Sequence, residues 1–105
     1  MTYVILTSKP GQFRTEVVDG LTPVEAWDYV FHGTTRARFV IAALERETKI
    51  RVVDEAPPPV VNLVPTKFLE RFDTIEAARK ELEHLSRFGA SLQAGLRPAP
   101  LPVPA

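Results

Sequence analysis

Asp28 and His32 are the side chains of this 105-residue chain best suited to proton transfer. Residues four apart share one face of an α-helix, so a carboxylate at 28 would orient an imidazole at 32. A catalytic triad also needs a nucleophile, and the nearest hydroxyls belong to Thr34 and Thr35. Because the chain lacks the Gly-x-Ser-x-Gly turn of hydrolases, we predict no catalytic residue. We interpret Asp28 and His32 as a polar pair at a helix end, with ligand binding as the alternative.

Three arginines form a second candidate set. Arg36 and Arg38 alternate along one predicted strand, and Arg51 lies on the next. If those strands pair, the guanidinium groups share a sheet face and suit a phosphate or a carboxylate. However, Glu45 and Glu47 in the connecting loop would repel phosphate, and no exposed aromatic platform accompanies the arginines. We therefore expect no nucleic-acid binding, and we keep an anionic small molecule as the alternative ligand of Arg36 and Arg38.

Composition narrows the classes of function. The 13 Lys and Arg residues balance 13 Asp and Glu residues, so no overall field attracts nucleic acid or an anionic membrane. The absence of cysteine excludes disulfides, a thiolate nucleophile and iron–sulfur ligation. The two histidines are too far apart for a paired metal motif, and no Walker or Gly-x-Gly-x-x-Gly loop occurs. We predict no metal and no cofactor.

The chain also lacks the patterns that direct proteins to membranes. The segment 1–10 has no leading positive charge and is apolar over too few residues for a signal peptide. No later stretch reaches the length of a membrane span. We expect a cytoplasmic protein without a membrane partner.

Strands are predicted where β-branched and alternating residues occur. The corresponding segments are 3–7, 12–18, 35–44 and 49–54. The first two flank Pro10-Gly11, which favours an opening hairpin. The run Phe39–Ile41 is apolar on both faces and indicates a central strand, although a helix over 42–46 is the alternative at its end. The stretch 60–72, interrupted by Pro65, stays open between strand, loop and helix, with an edge strand over 66–72 favoured.

Two helices are predicted from their capping patterns. Thr22 and Glu25 are spaced as a capping box, with Pro23 at the first helical position, which favours a helix from about Pro23 to His32. A second capping box, 73–76, precedes a helix that should end at Gly89. Its apolar stripe at helical spacing comprises Ile75, Ala78, Leu82, Leu85 and Phe88.

These elements predict one α+β domain over residues 1–89. We expect a mainly antiparallel sheet of four to five strands with both helices on one face, in the order β-β-α-β-β-(β)-α. The predicted core contains Val4, Leu6, Phe13, Trp27, Val30, Phe39, Ile41, Val52, Ile75, Ala78, Leu82 and Leu85. Residues 90–105, rich in proline and alanine, are expected to form a disordered tail.

No motif assigns an activity. The functional hypotheses therefore rest on the predicted edge strand, the tail and the candidate ligand-binding residues. The favoured one is a small non-enzymatic accessory or adaptor protein that binds another protein through an edge strand near Pro65 or through the tail. The alternative is a small enzyme or metabolite-binding domain with a site at a homodimer interface. Its ligand would be anionic and would contact Asp28, His32, Arg36 and Arg38. Nucleic-acid binding is the third and disfavoured hypothesis.

Overall fold

The computed structural model describes residues 1–86 and 94–102, without the side chains of Ser86 and Ala94. Over these ranges the chain forms seven strands, one α-helix and one short 3-10 helix. In chain order they are β1 (Thr2–Ser8), β2 (Phe13–Glu16), β3 (Leu21–Phe31), β4 (Thr34–Leu44), β5 (Lys49–Asp54), β6 (Val61–Pro65), the 3-10 helix (Thr66–Phe68), α1 (Ile75–Ser86) and β7 (Ala94–Pro98).

The strands form two antiparallel sheets rather than one. A four-stranded central sheet has the order β1-β4-β3-β7, and a three-stranded small sheet has the order β2-β5-β6. The small sheet packs on one face of the central sheet and α1 packs on the other. The coarse α+β expectation therefore fits, since antiparallel sheet dominates and a helix covers one face. The described residues contain one α-helix, not two.

Alternation along β4 explains why the central sheet is covered on both faces. Successive side chains of a strand point to opposite faces. Val40 and Ala42 pack toward the small sheet, whereas Phe39 and Ile41 pack toward α1. All four are buried, and β4 lies between β1 and β3, so the predicted central strand is confirmed.

The predicted helix over 23–32 is wrong, because this segment is the eleven-residue strand β3. It pairs with β4 along its whole length, with two register shifts, at Pro23/Glu25 and at Tyr29/Val30. The hydroxyl of Thr22 donates to the carboxylate of Glu45 instead of capping a helix. Trp27 faces α1 and Ala26 faces the small sheet. Burial on both faces of a sheet has outweighed a weak local capping signal.

A two-residue turn, His32-Gly33, joins β3 to β4. Both residues have positive φ, 50° and 75° respectively. Two consecutive residues in this region are the mark of a type I′ hairpin turn, whose twist matches that of the flanking strands. Gly33, predicted to end a helix, therefore lies between two strands, where its positive φ allows this turn.

The predicted pairings of neighbouring strands are also corrected. β1 and β2 belong to different sheets, joined by an isolated bridge between Lys9 and Phe13. β4 and β5 are likewise in different sheets. The alternative helix over 42–46 is wrong, since β4 continues to Leu44. The edge strand is Val61–Pro65, not 66–72, where a 3-10 helix begins instead.

The second predicted helix is confirmed as α1. The backbone N–H of Ala77 donates to the hydroxyl of Thr74 at 3.0 Å, so Thr74 provides the side-chain cap. Ala78 and Leu82 are buried against the sheet, but Leu85 is 43% exposed and is not core. Phe88 and Gly89 lie outside the described residues.

Most of the remaining predicted core holds. Val4, Leu6 and Val30 are buried, and the half-buried members are Phe13, Trp27, Val52 and Ile75. Within the segment expected to form a disordered tail, Ala94–Pro98 form β7 and pair with β3. The rest of that tail over 90–93 and 103–105 lies outside the described residues.

A carboxylate on β3 ties the helix to the central sheet. Glu25 accepts hydrogen bonds from Arg79 Nε at 2.8 Å and from Trp27 Nε1 at 2.9 Å. The hydrogen bond from Arg79 is the largest influence on Glu25 and holds the pKa of its carboxyl below the ordinary value, against partial burial, which raises it. The folded protein therefore prefers this carboxyl ionised.

We expect this preference to contribute to acid sensitivity. A carboxyl whose pKa is lowered on folding stabilises the fold above its unfolded pKa of about 4.3, and that contribution is lost as the pH falls through the folded pKa. Glu25→Gln should therefore lose less stability than the wild type between pH 7 and pH 3. Urea denaturation at both pH values measures this. The exposed Glu70→Gln serves as control, and an equal loss in Glu25→Gln and the wild type would contradict the prediction.

Candidate functional site

Asp28 contacts an arginine rather than the predicted histidine. The Nε and Nη2 atoms of Arg38 donate to the two carboxylate oxygens of Asp28 at 2.7 and 3.1 Å. The residues lie opposite each other on β3 and β4. The hydrogen bond to Asp28 raises the pKa of Arg38 above its ordinary value. Because this bidentate pair neutralises both charges, it is better suited to joining two strands than to binding a ligand.

His32 and Arg36 gather instead around Phe31. The rings of Phe31 and His32 meet edge to face, with centroids 4.2 Å apart. The guanidinium carbon of Arg36 lies 5.9 Å from the centroid of the Phe31 ring, within cation–π range. The four residues predicted to share a ligand therefore form two separate groups. The predicted pairing of Asp28 with His32 depended on the helix that β3 replaces.

The predicted face of three arginines does not form. Arg51 is in the small sheet, where its Nε lies 3.2 Å from the carboxylate of Glu16. The acidic residues expected beside Arg36 and Arg38 are elsewhere too, since Glu45 contacts Thr22 and Glu47 contacts Arg71. Repulsion of phosphate by these carboxylates, which was the reason to expect no nucleic-acid binding, therefore does not apply at Arg36 and Arg38. The absence of nucleic-acid binding remains an expectation that rests on the balanced net charge.

No described strand pairs with the outer edge of β6. The N–H of Asp54 donates to Val60, and the N–H of Thr66 donates to Thr48, at 2.9 and 2.8 Å. In an antiparallel ladder, hydrogen-bonding direction alternates along the strand. Residues 60, 62, 64 and 66 therefore bond to β5, and the N–H and C=O groups of Val61 and Leu63 point outward. The C=O of Pro65 also points outward, where the missing N–H of proline costs no bond. We call these outward groups the β6 edge.

Two other sheet edges are partly covered. The backbone of Phe72 exchanges two hydrogen bonds with Tyr3 on β1, at 2.8 and 2.9 Å. On β2, the N–H of Thr15 donates to the hydroxyl of Ser8 at 2.8 Å. The fourth edge is β7, and the residues just before it, 87–93, lie outside the described ranges. An uncovered strand edge is where other chains pair, and proteins commonly cover such edges.

Apolar side chains accompany the β6 edge. Leu63 is 57% exposed and Val61 is 46% exposed, and the neighbouring Phe68 is 72% exposed. Leu63 lies opposite Arg51 on the outer face of the small sheet. Clusters of exposed large apolar residues are typical of binding surfaces.

A groove of about 420 Å³ lies at the Pro65 end of β6. Its charged lining consists of Lys49, Lys67, Arg71 and Glu47. The hydrogen bond from Arg71, followed by that from Thr66, holds the pKa of the Glu47 carboxyl below its ordinary value. Three cations therefore face one ionised carboxylate. This groove is suited to an acidic group.

The sequence contains a strand signal for this edge that precedes the predicted edge strand over 66–72. The run Val60-Val61-Asn62-Leu63-Val64 is rich in β-branched residues, as strands are. The prediction treats Pro65 as an interruption before the strand, whereas Pro65 is the last residue of β6. An outward-facing proline is compatible with an edge strand at that position.

No three metal-ligating side chains converge among residues 1–86 and 94–102. No helix in the described part of the chain is long and apolar enough to cross a membrane. Comparison with protein-family models, curated proteins and solved structures finds no match to the chain.

Proposed function

We propose that the chain is a non-enzymatic protein-binding module that adds an extended segment of a partner protein to the β6 edge. The observation that carries this proposal is the exposed edge itself, with outward N–H groups at Val61 and Leu63 beside exposed apolar side chains. In strand addition, main-chain hydrogen bonds supply affinity and alternate side chains supply specificity.

The surroundings of the edge define the partner segment. Side chains on the outer face of an added strand would lie beside Val61 and Leu63, so apolar residues are favoured there. Near Pro65 the added strand would reach the groove formed by Lys49, Lys67 and Arg71. An extended apolar segment with an acidic residue at that end fits both features. We assign the tail a smaller part in partner binding than the sequence suggests, since Ala94–Pro98 already pair with β3.

A single substitution can test the edge without breaking the small sheet. Leu63→Pro removes an outward N–H, whereas the bonds from β6 to β5 use residues 60, 62, 64 and 66. We expect unchanged sheet structure and at least about tenfold weaker binding of an added strand, because one backbone donor is lost and the partner's carbonyl is left without its bond. Leu63→Ala keeps the donor and is the matched control for the lost side chain.

The ligands for this test are extended peptides selected from a displayed library on the immobilised wild-type protein. Selected peptides should be apolar with an acidic residue, and should shift the backbone amide resonances of residues 61–65. Selection of no peptide, or equal binding by the wild type and Leu63→Pro, would contradict the proposal. Solution mass is measured first. A dimer of this chain that Leu63→Pro dissociates would assign the edge to self-association and overturn its assignment to a different protein.

A further inference from the structure

A cleft on the other side of the central sheet is independent of the β6 edge. Its volume is about 520 Å³, and it lies where β1 ends, β4 begins and α1 reaches its last described turn. Volumes of this size are typical of small-molecule sites. None of the described residues lines both this cleft and the groove at Pro65.

The floor of the cleft is apolar and partly aromatic. Phe39 is buried at its base, Tyr29 is half-buried beside it, and Leu85 covers one side with 43% of its surface exposed. Leu85 belongs to the apolar stripe of α1 but does not pack into the core. Its exposure is explained if it contacts a ligand rather than the sheet, because a ring in the cleft would lie against both Leu85 and Phe39.

The rim of the cleft is cationic. Lys9 and Arg36 line it together with the amide of Gln12, and no carboxylate lines it among the described residues. Neither Lys9 nor Arg36 forms an ion pair with a described residue, whereas Arg38, on the same strand, is held by Asp28. The guanidinium carbon of Arg36 lies 5.9 Å from the centroid of the Phe31 ring. No described residue accepts a hydrogen bond from its N–H donors, which leaves them available to an acceptor on a ligand.

We propose that this cleft binds a small carboxylate with an aromatic body. Arg36 would bind the carboxylate through paired N–H donors, and Lys9 would add a second positive charge. The aromatic body would lie on Phe39 and Tyr29. Of the four residues expected from the sequence to bind a ligand, Arg36 is the one that lines this cleft.

Titration with 2-naphthoate, followed by backbone amide resonances, tests this inference. We expect a Kd of about 1 mM, the range for a ligand of this size at ordinary efficiency. The amides of Ala37, Phe39 and Leu85 should shift. Naphthalene-2-methylamine, which is cationic, and inorganic phosphate, which lacks an aromatic body, should not shift them.

Variants distinguish the cleft from general surface binding. Lys9→Ala combined with Arg36→Ala should weaken naphthoate binding about tenfold or more, because charged hydrogen bonds are lost. Lys80→Ala removes an exposed cation from α1 that does not line the cleft, and should bind like the wild type. Absence of cleft shifts with naphthoate, or equal binding by the double variant and the wild type, would overturn the proposal. The Leu63→Pro variant should bind naphthoate like the wild type, because Leu63 does not line the cleft. The proposal for the cleft and the proposal for the β6 edge can therefore be refuted independently.

Discussion

Leu82→Ala is expected to lower the free energy of unfolding by about 2–5 kcal/mol, the usual range for a buried leucine. Leu82 is 1% exposed and packs on the helix side of the central sheet with Ile41 and Ala78. Truncation leaves a cavity between α1 and β4, because the sheet cannot move toward the helix without disturbing the small sheet behind it. Urea denaturation followed by circular dichroism measures the loss.

Leu85→Ala is the matched control for this substitution. The sequence placed both leucines in the core, but Leu85 lies on the last described turn of α1 and is 43% exposed. We expect its truncation to cost only about 1 kcal/mol, because much of this side chain is already in water and less apolar contact is lost than at Leu82. Equal losses at the two positions would contradict the position of α1 on the sheet.

Ala42→Asp is expected to prevent stable folding. Ala42 has no exposed surface and lies between the two sheets among Val4, Leu6 and Ile50. A carboxylate there has no cation to pair with and loses its hydration, which costs several kcal/mol. That is comparable with the whole stability of a small domain, about 5–15 kcal/mol. Loss of dispersed amide resonances at pH 7 is the expected observation.

Thr34→Asp introduces the same charge at the exposed start of the same strand. Its effect should stay within about 0.5 kcal/mol, as is usual for surface positions. If Ala42→Asp unfolds no more readily than Thr34→Asp, then the small sheet does not cover this face of β4.

The two elements that the sequence predicted best are those whose local and tertiary signals agree. The Phe39–Ile41 run is apolar on both faces, and β4 is in fact covered on both. α1 combines a cap at Thr74 with buried Ala78 and Leu82, so propensity and packing indicate the same structure.

β3 was missed because its signals conflict. Thr22, Pro23 and Glu25 fit a capping box, but Trp27 and Tyr29 favour a strand, and a β4 hairpin partner becomes available through the His32-Gly33 turn. Sequence alone does not tell how much surface that partner buries. The wrong helix also accounts for the wrong pairing of Asp28 with His32. Residues four apart face each other on a helix, but β3 is a strand.

The β6 edge was predicted in kind but not in position. Pro65 was read as an interruption, and its outward orientation depends on pairing with β5 that only the structure supplies. The cleft at Arg36 could not be predicted either. It is assembled from β1, β4 and α1, which are distant in sequence, and Lys9 and Arg36 meet only after the sheet has formed.

The two-residue turn between β3 and β4 has a consequence for the order of folding. It joins the two longest of the described strands at a small cost in loop-closure entropy, whereas pairing of β1 with β4 and of β7 with β3 must close much longer loops. The β3–β4 hairpin is therefore the natural nucleus of the central sheet, with β1 and β7 adding to its two sides. Because the longer loops cost more entropy to close, the slow steps are those that add β1 and β7 to the hairpin, not the step that makes the turn.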